Sequence, residues 1–311
     1  MNPSDYFYQA FGLLIESDCP LPELIESNRS KDKIDITIKL EDLKDQWRHR
    51  SKDCKEFFAS KSQIMFQING LCIFSIEGGR KILYSPFDGA DLDQIRLYIL
   101  GTCMGAILNQ RKILPLHGSA IAINGKAYAF VGESGAGKST LARAFLRKNY
   151  QLISDDVIAV TLSSNDTPVV HPAYPQQKLW DNSLDKFGMN TSDYRPLFER
   201  DKKFAVPVSS QFFNGQLPLA GIFELTINKI AEPKIELIEN MERFHILYTH
   251  TYRNFFIEPL GLREWHFNLS SKIIEKIDTY RLQRPNTKFT AEELTGMVLN
   301  SVNREEYSYE R

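Results

Sequence analysis

Eight consecutive residues, Gly132-Glu133-Ser134-Gly135-Ala136-Gly137-Lys138-Ser139, fit the pattern GxxxxGK[ST], with Thr140 following in the next turn. In that pattern the glycines let successive backbone N–H groups curl around phosphate oxygens at a helix N-terminus. Lys138 is placed to reach the β- and γ-phosphates. The Ser139 hydroxyl suits Mg²⁺, a hard cation that keeps several waters and takes few protein oxygens beside the phosphates. Asp155-Asp156 follows at the end of an apolar strand. Of two adjacent carboxylates, one can hold the metal while the other accepts the proton of an attacking hydroxyl. His117-Gly118 lies upstream, where an imidazole would contact phosphate or polarise a carboxylate, or simply occupy a turn. ATP and Mg²⁺ are the expected ligands. The stretch Asn228-Lys229-Ile230-Ala231 lacks the aspartate that reads guanine, which disfavours a GTPase, and the short separation of Lys138 from Asp155 discriminates against a transporter-type ATPase.

The elements that must position these groups read as follows. SAIAI, Asn124-Gly125 and KAYAFV form a hairpin whose second strand runs into the phosphate loop; LARAFLRK is a helix and QLISDDVIAV the next strand. In a parallel sheet the end of that strand faces the loop, which places the acidic pair beside it. Further on, GIFELTI, KIELIE and YRLQRP read as strands. FHILYTHTYRNFF, a segment near 269–278 and one near 290–302 read as helices, the first an aromatic core helix. Before residue 100, IDITIKL alternates with period two, putting Ile34, Ile36, Ile38 and Leu40 on one face. Residues 63–76 form a hairpin about Asn69-Gly70, the pair that suits a type I′ turn, and 92–110 has helical spacing.

The expected architecture is therefore α/β: a sheet-rich unit over 1–100, serving docking or oligomerisation, then a catalytic unit over 101–311 with a mixed sheet. With 38 basic and 39 acidic residues the formal charge is −1, which gives no general attraction to nucleic acid. Cys19, Cys54, Cys72 and Cys103 contain no CxxC pair and read as reduced thiols. The N-terminus has no signal-peptide pattern and no apolar run reaches membrane-span length, so a cytoplasmic location without membrane contact is expected. The sequons at Asn28 and Asn268 then carry no meaning.

LPLHGSAIAINGKAYAFVGESGAGKSTLARAF together with LISDDVIAV resembles the catalytic domain of HPr kinase/phosphorylase. That family has a P-loop fold related to phosphoenolpyruvate carboxykinase and phosphorylates a serine on a small protein. The resemblance implies phosphate and metal roles for Lys138 and Ser139, a general base at Asp155, a metal ligand at Asp156 (the two being exchangeable) and His117 in the active site. The chain departs from that family after the acidic strand, where HPAYPQQKLW stands, and lacks its Asn-rich C-terminal signature. From FGLLIESDCPLPEL onward, with YPQQKLW, Asp201-Lys202-Lys203 and YRLQRP, it resembles the HPr-kinase-like proteins encoded with lasso peptides, which phosphorylate the C-terminal serine of the precursor.

That second resemblance suggests that Lys202 or Lys203 neutralises transferring phosphate or a substrate carboxylate, solvated lysines being the alternative. His171 and Lys178 flank Tyr174-Pro175 in a segment read as a loop lining the acceptor cleft, and Arg281 and Arg284 are candidate carboxylate partners. The function expected is ATP-dependent phosphorylation of a serine in a peptide or small protein. The rivals are a reversible HPr-like kinase/phosphorylase, a small-metabolite kinase, and a nucleotide-binding scaffold without phosphotransfer.

Overall fold

The computed structural model describes residues 6–28, 33–53, 56–197 and 202–309, the last six by backbone only. Cys54, Asp201 and the Arg29-Ser30 part of the first sequon lie outside these stretches.

The N-terminal sheet contains β1 (Tyr6–Ala10), β2 (Leu13–Ser17), β3 (Ile25–Glu26), β4 (Ile36–Leu40), β5 (Phe57–Ala59), β6 (Gln63–Ile68), β7 (Cys72–Glu77) and β8 (Lys81–Pro86). Their order is β3-β1-β2-β4-β8-β7-β6-β5. The alternation read in IDITIKL puts Ile36 and Ile38 in the core, but Leu40 is 60% exposed because the strand ends there. At the β6–β7 turn only Gly70 has positive φ, so the turn is not type I′; Cys72 pairs with Ile68 across a three-residue loop. Trp47 of helix α1 (Lys44–Arg50) packs against the cluster of Met65, Ile73 and Leu83 on this sheet.

The predicted helix over 92–110 consists of α2 (Leu92–Tyr98), a π-helical turn Ile99–Cys103 and α3 (Met104–Gln110). Ile95, Ile99, Met104 and Leu108 share one buried cluster with Ile15, Ile36, Ile38, Phe66 and Phe74 of the sheet, and with Val157, Tyr174 and Phe256 from later in the chain. The helical run spans residue 100, the boundary expected from sequence, and the core is continuous across it.

The second sheet is built from β9 (Leu114–Ile123), β10 (Lys126–Val131), β11 (Gln151–Leu162), β12 (Pro168–His171), β16 (Leu217–Asn228), β17 (Lys234–Leu237) and β18 (Asp278–Pro285), in the order β10-β9-β11-β12-β16-β18-β17. Here Asn124 and Gly125 both take positive φ, the type I′ geometry, and Lys126 pairs with Ile123. β10 also pairs parallel with β16, so five strands close on themselves while β18 and β17 extend the sheet outward. The sheet is mixed, as expected. A small third sheet, β13 (Gln176–Trp180), β14 (Arg195–Pro196) and β15 (Lys203–Pro207), lies over it in the order β13-β15-β14. The helices of this half are α4 (Lys138–Arg147), α5 (Asp181–Lys186), α6 (Glu242–Thr249), α7 (Arg263–Ile274) and α8 (Ala291–Tyr309). No described helix is long and apolar enough to cross a membrane.

Two local expectations differ from the structure. β11 pairs antiparallel with β9 and not with β10, because the hairpin folds β9 between them; the acidic pair lies within a twelve-residue strand instead of at its end. QQKLW, read as loop, is strand β13, because Gln177, Lys178 and Leu179 are buried between β15 and the main sheet.

Candidate active site

Strand β10 delivers the glycine-rich loop. Its residues from Ala127 to Val131 are buried, and Val131 pairs with Gly118 on one side and Glu224 on the other. Gly132 has φ +148°, and a Cβ there would stand 2.4 Å from the Leu225 carbonyl oxygen, so only glycine lets the strand leave the sheet past β16. Gly137 (φ +106°) precedes α4 without a side-chain cap, leaving that helix's first N–H groups to a ligand. Gly132, Glu133, Ser134, Gly135, Gly137, Lys138, Ser139 and Thr140 line one cavity of about 1060 Å³, while Ala136 turns inward.

Lys138 is buried, and its Nζ donates to the carbonyls of Gly132 (2.7 Å) and Glu133 (2.9 Å). Burial lowers its pKa to about 8 against the opposing pull of Asp155 and Asp156. Arg284, on β18, lines the same cavity and donates through Nε to Ala136 O at 2.7 Å, which ties it to the loop. Thr140 Oγ1 meets Ser183 Oγ at 2.8 Å, tying α4 to α5.

A register shift between Leu152 and Ser154 sets the two aspartates at different angles. Ser154 Oγ donates to the Val157 carbonyl across the kink, and Asp156 takes φ +78°. The two carboxylates consequently have separate surroundings. Asp155 is 3% exposed; its Oδ1 accepts from Ser119 Oγ (2.5 Å) and Ser139 Oγ (2.9 Å), and its Oδ2 from Lys178 N–H (2.8 Å). Burial raises its pKa, and the hydrogen bonds offset that only in part. Asp156 faces the cavity, with Oδ2 2.7 Å from Lys178 Nζ and Oδ1 3.6 Å from His117 Nδ1. Burial pushes its pKa up, but Lys178, His117 and Lys203 outweigh that and hold it below the usual carboxylate range. His117 Nδ1 also lies 3.0 Å from the Asp156 carbonyl, and burial lowers the imidazole to about 4, so it is neutral at pH 7.

The donor set fits magnesium. Ser139 Oγ and Asp155 Oδ1 are hard oxygens side by side, and among the described residues no cluster of three or more His, Cys, Asp and Glu would hold a metal without help from phosphate or water.

The other candidates from sequence divide. Lys178 and Lys203 line the cavity, Lys203 Nζ lying 5.7 Å from the centre of the Trp180 ring. Lys202 is exposed and does not line it. His171 is elsewhere: its Nε2 lies 2.8 Å from Thr161 Oγ1, and its ring packs so close to Gly12 that a Cβ there would meet Nδ1 at 2.5 Å. Phe11 beside it donates N–H to Pro172 O at 2.7 Å and packs on Tyr174, so His171 belongs to the seat of the N-terminal hairpin. Arg281 is spoken for by Glu224 (2.7 and 2.9 Å), which also meets His250 Nε2 at 3.1 Å.

Three contributions escape sequence reasoning. Ser119 becomes an Asp155 partner only through the β9–β11 register. The segment 249–255, read as core helix, leaves helix α6 at Thr249 and lines the cavity, with His117 N donating to His250 O at 2.7 Å. The stretch 286–291 closes the side next to α5; its turn residues after YRLQRP were the available signal.

No protein-family model matches the chain, and no curated protein matches it. Among solved structures, the Hpr(Ser) kinase/phosphatase from Coxiella burnetii is similar at 14% identity and a TM-score of 0.33, over 63% of this chain and 99% of that one.

Proposed function

We propose that this protein transfers the γ-phosphate of ATP to a serine hydroxyl of a peptide or small protein. The observation that carries the reading is the Ser139–Asp155 hydrogen bond, which joins the phosphate-loop helix to an acidic pair whose second member, Asp156, faces the same cavity. A phosphate-binding loop alone serves many ends. A second carboxylate turned toward space beside it is what proton removal from an acceptor needs.

In this reading the N–H groups of residues 133–139 cradle the triphosphate, and Lys138 exchanges the carbonyls of Gly132 and Glu133 for phosphate oxygens. Ser139 and Asp155 would hold Mg²⁺, which neutralises charge on the β- and γ-phosphates when bound. Asp156 accepts the serine proton as the serine oxygen bonds to phosphorus and the bond from γ-phosphorus to the β-phosphate oxygen breaks. This exchanges the roles suggested by the resemblance, because Asp155 is enclosed by three donors whereas Asp156 is open to the cavity. Lys178 keeps Asp156 ionised, and neutral His117 orients it. Catalysis is then positioning and charge neutralisation.

The acceptor we propose is the C-terminal serine of a lasso-peptide precursor, on the resemblance of the segments FGLLIESDCPLPEL, YPQQKLW and YRLQRP. The test is mass spectrometry of a serine-ended precursor peptide incubated with ATP, Mg²⁺ and protein, beside a Lys138→Met variant and an HPr-like protein as competing acceptor. One added phosphate on the peptide serine, absent with the variant, is the expected result. ATP binding without transfer to either acceptor would overturn the reading in favour of a metabolite kinase or a scaffold.

A further inference from the structure

The cavity is also lined by Leu97, Tyr98, Gly101 and Thr102 from the α2–α3 run, and by Tyr252 and Arg253. Gly101 and Thr102 belong to the π-helical turn, a feature found mostly where a helix has been adapted to a function. A Cβ on Gly105 would stand 2.5 Å from Tyr252 Cδ1, and one on Gly101 would stand 3.2 Å from the Tyr252 hydroxyl oxygen. The two glycines therefore make the seat for the Tyr252 ring, which lies 5.7 Å from that of His117.

Tyr252 N–H donates to Pro115 O at 2.7 Å and Thr251 bridges Leu116, so the chain runs antiparallel to β9, away from the acidic pair. Arg253 comes next with φ +54°, a left-handed conformation that is costly for a long side chain and collects at functional sites. Its Nη2 donates to Thr102 Oγ1 at 3.0 Å, and its Cζ lies 5.7 Å from the Tyr252 ring centre and 6.0 Å from that of Phe255. Among the described residues no carboxylate pairs with it. A guanidinium carries five donor hydrogens in a planar fork suited to a two-oxygen anion, and here one of them is engaged by another side chain.

We propose that Arg253, seated by Tyr252 and Thr102, receives a carboxylate of the phosphate acceptor. The proposal rests on the phosphotransfer reading above. Position along the strand favours a carboxylate over a transferring phosphate. Gly118 pairs with Val131, where the phosphate loop begins, while Tyr252 lies opposite Pro115. Three strand residues at about 3.3 Å each put the Tyr252 backbone roughly 10 Å from Val131, where the glycine-rich loop begins, and Arg253 follows one residue beyond. The extended Arg253 side chain covers part of that interval, and a carboxylate on the reacting serine itself or within two or three residues of it covers the rest. It can come from the peptide's C-terminus or from an Asp or Glu side chain.

The test is calorimetric titration of the full chain, loaded with Mg²⁺ and a non-hydrolysable ATP analogue. The probes are N-acetyl-L-serine, N-acetyl-L-serinamide, N-acetyl-Ser-Gly-Asp-amide and inorganic phosphate. Arg253→Asn serves as the main variant because asparagine tolerates the left-handed conformation; Arg253→Lys keeps the charge without the fork. At least one carboxylate probe is expected to bind about tenfold tighter than the serinamide. Arg253→Asn should abolish that preference and Arg253→Lys keep part of it, with affinity for the ATP analogue unchanged in both. Preference for N-acetyl-L-serine identifies a terminal carboxylate, and preference for the Asp peptide a side chain. Equal binding of carboxylate and amide probes, binding of none, a preference that survives Arg253→Asn, or phosphate as the best ligand would overturn the proposal. Incubating the same probes with ATP separates the two readings: a carboxylate preference without phosphate transfer to any serine would sink the kinase and leave the Arg253 seat standing.

Discussion

Asp155 and Asp156 are neighbours in sequence, yet replacing each by asparagine should have very unequal consequences for stability. In Asp155→Asn the amide keeps the shape, its oxygen can still accept from Lys178 N–H, and the Ser119 and Ser139 hydroxyls can rotate to accept from its NH₂. What is lost is charge assistance, and what is gained is relief of a buried charge whose pKa burial raises. The net change should stay within about 1 kcal/mol. In Asp156→Asn the Lys178 ammonium, 7% exposed at the side chain, loses a partner at 2.7 Å. Leaving a buried charge unpaired costs about 3–5 kcal/mol. At about 2–4 °C per kcal/mol for a chain of this class, Tm should fall by roughly 6–20 °C in Asp156→Asn and move by less than about 4 °C in Asp155→Asn.

The pH dependence follows from the signs of the shifts. Asp156 is depressed in the folded state, so its stabilisation is fully present above the unfolded value near 3.8 and is lost as pH falls through the folded value. The deficit of Asp156→Asn should therefore be complete at neutral pH and shrink below about 4. Asp155 is raised, so its ionisation opposes folding, and Asp155→Asn should gain on the wild type as pH rises through the carboxylate range. Differential scanning calorimetry of the ligand-free proteins between pH 2 and 8 reads both. Equal losses in the two variants, or a larger loss in Asp155→Asn, would refute the assignment of separate surroundings.

Because burial holds Lys138 at about 8, ATP affinity of the wild type should weaken as pH rises through that value, and the dependence should vanish in Lys138→Met; titration calorimetry at constant ionic strength checks it. Gly132→Ala places a Cβ 2.4 Å from the Leu225 carbonyl at a φ of +148°, so ATP binding should fall at least tenfold even where circular dichroism reports an intact fold. Gly105→Ala drives a methyl into the Tyr252 ring at 2.5 Å and should cost about 1–3 kcal/mol of stability. It should also raise KM for the peptide acceptor while leaving KM for ATP unchanged, since the displaced ring carries Arg253 and not the phosphate loop. Steady-state kinetics with each substrate varied in turn separates the two.

The glycine-rich loop was legible in the sequence because its backbone geometry is local. Three glycines with positive φ, a lysine and a helix start within a few residues need no distant partner to be recognised, and the Asn124-Gly125 turn is legible for the same steric reason. The period-two strands follow likewise from one face needing burial. The acidic pair was visible as a pair, but the division of labour within it was not. A register shift and one positive φ decide which carboxylate meets Ser139 and which meets Lys178, and both depend on how β9 lies between β10 and β11. His171 looked like a cleft residue by spacing and became the seat of a hairpin 159 positions away, since only packing brings Gly12 to it. Arg253 and Thr102 are separated by 151 positions, and the glycine seat that joins them exists only when the α2–α3 run lies against the segment after α6. Local backbone sterics thus determined the loop and the strands, while long-range packing alone decided which side chains face one another across the cavity.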